Sequence, residues 1–383
     1  MRRSVTGCLN SSRSGGERVT KKEYQIEGFW LWLCSLQTMY RMKRQQLLDY
    51  FQTPEEVFLA PEKEILAFPD LNIVQKQELL QSRSTWDLEK KQHQLRMQGI
   101  RFISSSMEAY PEKLRNIYDY PHGLFVKGRL PDPHIPTAAV VGARSSSAYG
   151  RHFATEIARE LAACQIQVVS GMARGIDGIA QKAVLEAGGE SFAVLGNGVD
   201  ICYPQQHEKL YRELTEKGGV LSEFPLGTQP LPRHFPMRNR IISGLSDLVI
   251  VVEAREQSGS LITADQALEQ GRDVMAVPGR TGDALSAGCN RLIAQGAEIF
   301  LSVEQLAERM KVKKKSRINR KKTNLALESE ENLVYSVLEF QTKNLQSIAD
   351  ETGLTPHRAS AVLVRLMLRG LVAEDVKNHY SKI

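Results

Sequence analysis

Arginine and glycine recur together in the middle of the chain at spacings suited to holding phosphate. Residues 138–150, AAVVGARSSSAYG, place Gly142, Arg144 and Ser145 directly after four small apolar residues. Residues 170–177, SGMARGID, repeat the pattern with Gly171 and Arg174. Farther on, HFPMRNR sets Phe235 beside Arg238, Asn239 and Arg240, and SGSLIT supplies Ser258, Gly259, Ser260 and Thr263. Glycine lets backbone N–H groups approach a ligand, hydroxyls donate hydrogen bonds, and a guanidinium fork fits a phosphate bidentately. A ring nearby adds a flat face. The economical ligand carries phosphates and something flat to stack: a nucleotide or a single strand of nucleic acid.

Each piece also has a plainer use. A glycine after a strand serves any tight turn, Arg238 and Arg240 suit a salt-bridge network that fixes a loop, and Phe235 suits a core plug. In combination the pieces favour a ligand. Between residues 137 and 300 twelve of fifteen cations are arginine, against eighteen acids. The segment is therefore not basic overall, and the choice of arginine is the signal. Signatures of catalysis are missing. No GxxxxGK[ST] loop occurs, and Gly196-Asn197-Gly198 runs into Asp200-Ile201 where a dinucleotide fingerprint wants its third glycine. Asp177, Asp200, Glu223 and Glu253 could serve as acids or bases, but without a paired histidine or cysteine they read as turn caps or arginine partners. No catalytic residue, metal site or cofactor is expected.

These residues need a scaffold that gathers turns from distant segments. Short apolar runs near residues 138, 168, 192, 220, 248, 274 and 299 alternate with helical patterns, such as Phe153, Ile157 and Leu161 on one face. That alternation predicts an α/β protein with one extended Rossmann-like, doubly wound parallel sheet over residues 106–310. Its glycine turns would share the carboxyl edge, where helix N-termini hold anions. Residues 21–105 read as a helical, SAM-like or helix-hairpin-helix-like domain, with Thr53-Pro54-Glu55-Glu56 as a capping box. Residues 311–324 form a basic linker. Residues 325–383 have the order of a winged helix, with Gly353 breaking one helix and Thr355 capping the next. Residues 1–20 read as a disordered tail, or as an early start with Val19 as the alternative.

Composition sets outer bounds. Charged residues make up 25% and hydrophobic ones 42% of 383 residues, as in ordinary soluble proteins. The apolar run at 28–36 is too short to span a bilayer, and residues 1–20 lack the apolar core of a secretory signal. Five scattered cysteines form no CxxC pair, which suits reduced thiols in a cytoplasmic protein. The net charge of +6 is local, because residues 311–322 hold eight cations and no acid. It gives no argument for nucleic acid by itself.

Taken together, the motifs resemble the DprA/Smf family, the bacterial DNA-processing proteins of natural transformation. VVGARSSSAYG, SGMARGIDGIAQKAVL, AVLGNGVDICYP, FPMRNRIISGLS, VVEAREQSGSLITADQALEQGRDVMAVPG and GCNRLIAQGA carry the resemblance, densely over residues 138–297. It implies a non-enzymatic, cytoplasmic protein that binds and protects single-stranded DNA and loads the RecA recombinase onto it during DNA uptake and recombination. It implies a homodimer through the Rossmann-like domain, and no membrane association. By the same resemblance the DNA pocket would use Arg144, Phe235, Arg238, Asn239 and Arg240. Three positions depart from the family pattern: Asn197 for a common cysteine, Gln181 for a histidine and His207 for an asparagine. Two other classes stay open. A phosphoribohydrolase-like enzyme would want a PGGxGTxxE loop, which Pro278-Gly279-Arg280-Thr281 does not provide. A winged-helix transcription regulator would read duplex DNA through Thr355, His357, Arg358, Arg365 and Arg369.

Overall fold

The computed structural model describes residues 21–312, 328–339 and 342–382. The expected tail at 1–20 and all but the first two residues of the expected linker lie outside the described residues. Six helices come first: α1 (Lys21–Ser35), α2 (Arg41–Phe51), α3 (Pro54–Leu59), α4 (Glu62–Ala67), α5 (Ile73–Thr85) and α6 (Leu88–Met97). They close over Trp32, Leu33, Leu47, Ile65 and Leu79, all essentially inaccessible to solvent. Thr53 and Glu56 cap α3 reciprocally, with Pro54 at the first helical position as the sequence predicts. Asn72 and Gln75 do the same for α5.

Nine strands then build one sheet. In chain order they are β1 (Ile100–Ser104), β2 (Gly123–Gly128), β3 (Thr137–Val141), β4 (Gln167–Ser170), β5 (Ser191–Val194), β6 (Gly219–Ser222), β7 (Leu248–Val251), β8 (Asp273–Ala276) and β9 (Glu298–Ile299). Their order across the sheet is β1-β2-β6-β5-β4-β3-β7-β8-β9. The seven strands expected from sequence are the parallel ones, and β2 and β1 extend the sheet antiparallel at one end. β1 falls within residues 21–105, which the sequence assigns to helices. Five residues carry too short an alternation to stand out, and pairing with β2 makes them a strand.

Alternation within each strand divides the core between two faces. Ala139, Val141, Val249 and Val251 face α7 (Glu112–Arg115), α11 (His234–Leu245), α12 (Gly259–Glu269) and α13 (Ala287–Ala294). Ala138, Val140, Leu248 and Ile250 face α8 (Ala148–Ala163), α9 (Ile176–Glu186) and α14 (Glu304–Arg309), while α10 (Glu208–Lys217) covers Val220 on that side. The chain winds outward from β3 through β4 and β5 to β6. It then returns to pair β7 with β3, Ala138 opposite Leu248. The reversal opens a crevice outside the carboxyl ends of β3 and β7.

The C-terminal residues form α15 (Ser329–Val337), β10 (Lys343–Asn344), α16 (Leu345–Thr352), α17 (Pro356–Leu368), β11 (Val372–Val376) and β12 (His379–Lys382). Gly353 ends α16 in the left-handed region at φ 69°, and the Thr355 side chain caps α17, both as expected.

The N-terminal helices meet the sheet through polar contacts. Gln45 and His122 share a hydrogen bond of 2.9 Å, and the His122 ring lies 5.8 Å from that of Trp30. Burial, reinforced by Arg44, Arg41 and Arg240, pushes the His122 imidazole down to a pKa of about 3. His122 thus folds as the neutral ring, and the unfolded chain takes up its proton first. Its contribution to stability is complete above the unfolded value near 6.5 and is lost as pH falls toward 3. Urea denaturation should show His122→Gln flattening the pH dependence between 6 and 4 by up to about 1.4 kcal/mol per pH unit, the slope of one proton. An unchanged slope would remove His122 from the acid transition.

Candidate functional site

Six turns at the carboxyl edge enclose a cleft of about 590 Å³ at the switch point. A smaller one of about 210 Å³ adjoins it between the ends of β4 and β5. Gly142, Arg144, Ser145, Phe235, Arg238, Asn239, Ser258, Gly259, Ser260 and Thr263 line the first. Gly171 and Arg174 line the second, which shares Arg144, Ser145, Phe235 and Arg238 with it. Arg240 lines neither.

Gly142 and Gly171 are required by close approach. A Cβ on Gly142 would stand 2.7 Å from Ile176 Cγ1, and one on Gly171 would stand 2.6 Å from Arg238 Cζ. Glu253, at the end of β7, accepts from the Ser147 amide (3.0 Å) and hydroxyl, while Ser147 caps α8. Burial raises the Glu253 carboxyl above its ordinary range, with the Ser147 hydrogen bonds opposing. The other edge carboxylates are equally committed. Asp177 accepts from the Gly171 amide at 3.1 Å, Asp200 from the Gly227 amide at 2.9 Å, and Glu223 from Arg240 at 2.7 Å. All four act as turn caps or arginine partners, as expected from the lack of a paired histidine or cysteine.

The arginines divide into two groups. Arg238 is 4% exposed, and its Nη1 donates to the carbonyls of Gly171 (2.9 Å) and Val194. Burial lowers its pKa to about 10, with Asp177 opposing that shift and Arg144 adding to it. Arg240 is a correction to the sequence reading, which placed it in the pocket. It lies 5% exposed behind the cleft, bonded to Glu223 at 2.7 Å and Asp119 at 2.8 Å. Burial opposes its charge, but the two carboxylates outweigh that and hold the guanidinium above its ordinary value. This is the salt-bridge network that sequence reasoning kept as the plainer use. By contrast, Arg144 and Arg174 are exposed and have no carboxylate or hydrogen-bond partner among the described residues.

Phe235 is half-buried at the centre. Its ring is offset-stacked on Tyr203 at 5.7 Å between centroids, with Arg144 Cζ 5.1 Å and Arg238 Cζ 6.0 Å from its centroid. Asn239 accepts from Arg238 Nε at 3.2 Å and donates to the Gly259 carbonyl at 3.2 Å, tying α11 to the start of α12. Two further lining residues are not evident as site residues in the sequence: Arg255, exposed on the turn after β7, and Tyr203, 39% exposed. Arg255 lies three residues before the Ser258 cap, a spacing that could have drawn attention to it. Tyr203 lies within the AVLGNGVDICYP stretch, and only the fold brings its ring to Phe235.

The three departures from the family pattern act as struts. Gln181 accepts from the Met172 amide (3.0 Å) and donates to the Phe192 carbonyl (3.1 Å). Asn197 donates to the Gly198 (3.0 Å) and Ile201 (2.7 Å) carbonyls, and His207 Nδ1 bonds the Met172 carbonyl at 3.1 Å.

Sheet order and cleft define a Rossmann-type α/β protein with an arginine-lined site at its switch point. The chain belongs to the family of DNA recombination-mediator protein A, which it matches over residues 101–311. It is 41% identical to the protein Smf of Escherichia coli K12 over 292 residues, covering 73% of this chain and 74% of that one. With the DNA processing protein DprA of Streptococcus pneumoniae it shares 46% identity over 195 residues, 51% of this chain and 69% of that one. The solved structure of the DprA of Streptococcus pneumoniae superposes with a TM-score of 0.61 at 34% identity, over 76% of this chain and 98% of the other.

Removing either buried arginine strands its partners, which costs about 3–5 kcal/mol. Arg240→Ala and Arg238→Ala should each lower the unfolding free energy by that order in urea denaturation. Arg144→Ala should change it by less than about 0.5 kcal/mol, as exposed substitutions do. Arg240→Ala with unchanged stability would break the assignment of this residue as a structural anchor.

Proposed function

We propose that this chain binds and protects single-stranded DNA in the switch-point cleft and promotes loading of a RecA-type recombinase onto it, without catalysis. The observation that carries the reading is the arrangement of Arg144 and Arg174, neither with a carboxylate or hydrogen-bond partner among the described residues, around the Phe235–Tyr203 stack. Free guanidinium groups hold phosphates, and an aromatic pair stacks bases without regard to sequence. Family membership supports the recombination role, in which the protein works as a cytoplasmic homodimer through its Rossmann-like domain. Among the described residues no helix is long and apolar enough to cross a membrane.

The alternatives meet specific obstacles. A nucleotide-processing enzyme needs a free carboxylate in the cleft, and the four edge carboxylates are engaged. A duplex-reading winged helix needs free cations on its recognition helix. On α17, Arg358 pairs with Glu330 at 2.7 Å, and Arg365 and Arg369 both pair with Glu331. We read the C-terminal unit as a winged helix with a role other than base readout.

Fluorescent single strand, duplex and mononucleotide titrated in parallel test the reading. Single strand should bind at least tenfold tighter than duplex. A charge-assisted phosphate contact is worth about 1.5–3 kcal/mol, so Arg144→Ala should weaken single-strand binding at least tenfold. It should also reduce the salt slope by about 0.7 for the phosphate it releases. Phe235→Ala removes stacking of about 1–3 kcal/mol per base and should leave the salt slope unchanged. Normal binding by Arg144→Ala, or equal binding of duplex, would sink the cleft assignment.

A further inference from the structure

The start of α12 lines the cleft through Ser258, Gly259 and Ser260. Ser258 caps the helix, and its hydroxyl shares a hydrogen bond of 2.7 Å with that of Ser260. A Cβ built on Gly259 meets nothing within 4 Å, so the first helical residue faces open space. Helix N-termini offer unpaired amides and the positive end of the dipole, but that alone does not make a site. A second observation points to a ligand. Thr263 is only 2% exposed and lines the cleft, yet its hydroxyl has no hydrogen-bond partner among the described residues. A helical threonine commonly returns its hydroxyl to the carbonyl four residues earlier. Here that carbonyl, of Gly259, already accepts the side-chain amide of Asn239 at 3.2 Å. Arg255 lines the same cleft, exposed and without a carboxylate partner among the described residues.

We propose that the α12 N-terminus, with the Thr263 hydroxyl and the Arg255 guanidinium, forms a dedicated phosphate subsite, separate from the Arg144–Phe235 subsite where a base stacks. The proposal rests on the single-strand reading and adds to it a division of labour within the cleft. One wall takes a base, and the other fixes a phosphate. Neutral donors and one guanidinium recognise a phosphoryl oxygen pair, and no carboxylate on α12 lines this part of the cleft to repel it. The same chemistry serves an internal phosphodiester of a strand or the phosphate of a free mononucleotide.

The test uses the full chain with an oligothymidylate and, separately, thymidine and thymidine 5′-monophosphate. Thr263→Val should weaken oligothymidylate binding about five- to tenfold with no change in salt slope, because it removes a hydroxyl and no charge. Thr263→Ser, which keeps the hydroxyl, should restore it and control for packing. Arg255→Gln should weaken binding to a similar degree and lower the salt slope by about 0.7. A subsite open to free nucleotide predicts that the monophosphate competes and thymidine does not. Competition by neither restricts the subsite to phosphodiesters held in a strand. Wild-type affinity in both Thr263→Val and Arg255→Gln overturns the subsite while leaving the single-strand reading intact. Failure of the wild-type chain to bind the oligonucleotide overturns both.

Discussion

The guanidinium of Arg238 is the contact on which the carboxyl edge depends. From α11 it reaches beneath Phe235 and donates to the carbonyls of Gly171 and Val194, where β4 and β5 end. Asp177, from α9, lies close enough to support its charge and also fastens the Gly171 amide. One side chain thus joins two strand ends and two helices. It can do so only because residue 171 has no Cβ to block it. Buried hydrogen bonds of this kind are expensive to leave unmade, and this favours a single arrangement of the cleft floor.

Buried and exposed arginines therefore have opposite duties in one small region. Arg238 and Arg240 spend their donors on carbonyls and carboxylates and make the cleft rigid. Among the described residues, the exposed side chains of Arg144, Arg174 and Arg255 make no hydrogen bond or ion pair with the protein. A cleft whose walls are already satisfied does not need to reorganise when a charged ligand enters, and preorganisation of this sort lowers the entropic cost of binding.

The N-terminal helices belong to the same construction. Arg44 approaches Glu223 at 3.6 Å, extending the Arg240 network into α2. Gln37 donates to the Leu226 carbonyl and accepts from Thr228, both at 3.0 Å. Tyr40 bonds His234 at 3.3 Å, and His234 in turn bonds the Gly196 carbonyl and stacks on Phe224. The start of α11, which carries Phe235 into the cleft, is therefore backed by the helical unit, which gives that unit a physical link to the cleft.

Sequence by itself determined the seven parallel strands, the glycine turns that had to meet at one edge, and the capping of α3 and α17, because period and local hydrogen bonding are written in neighbouring residues. The conclusion that the edge carboxylates serve as caps and arginine partners was legible too, from the lack of any paired base. Tertiary structure alone decided the rest. It made a strand of residues 100–104 by giving them β2 as a partner. It turned Arg240 away from the cleft, although Arg238 stands two residues earlier on the same helix. Positions two apart on a helix point about 200° apart, so one guanidinium meets the strand ends and the other meets Glu223 and Asp119. It also brought Asn239 to the Gly259 carbonyl, twenty residues away in sequence, while the Thr263 hydroxyl has no hydrogen-bond partner among the described residues. Which polar groups are used up by the fold and which remain for a ligand depends on contacts between distant segments, and no local pattern records them.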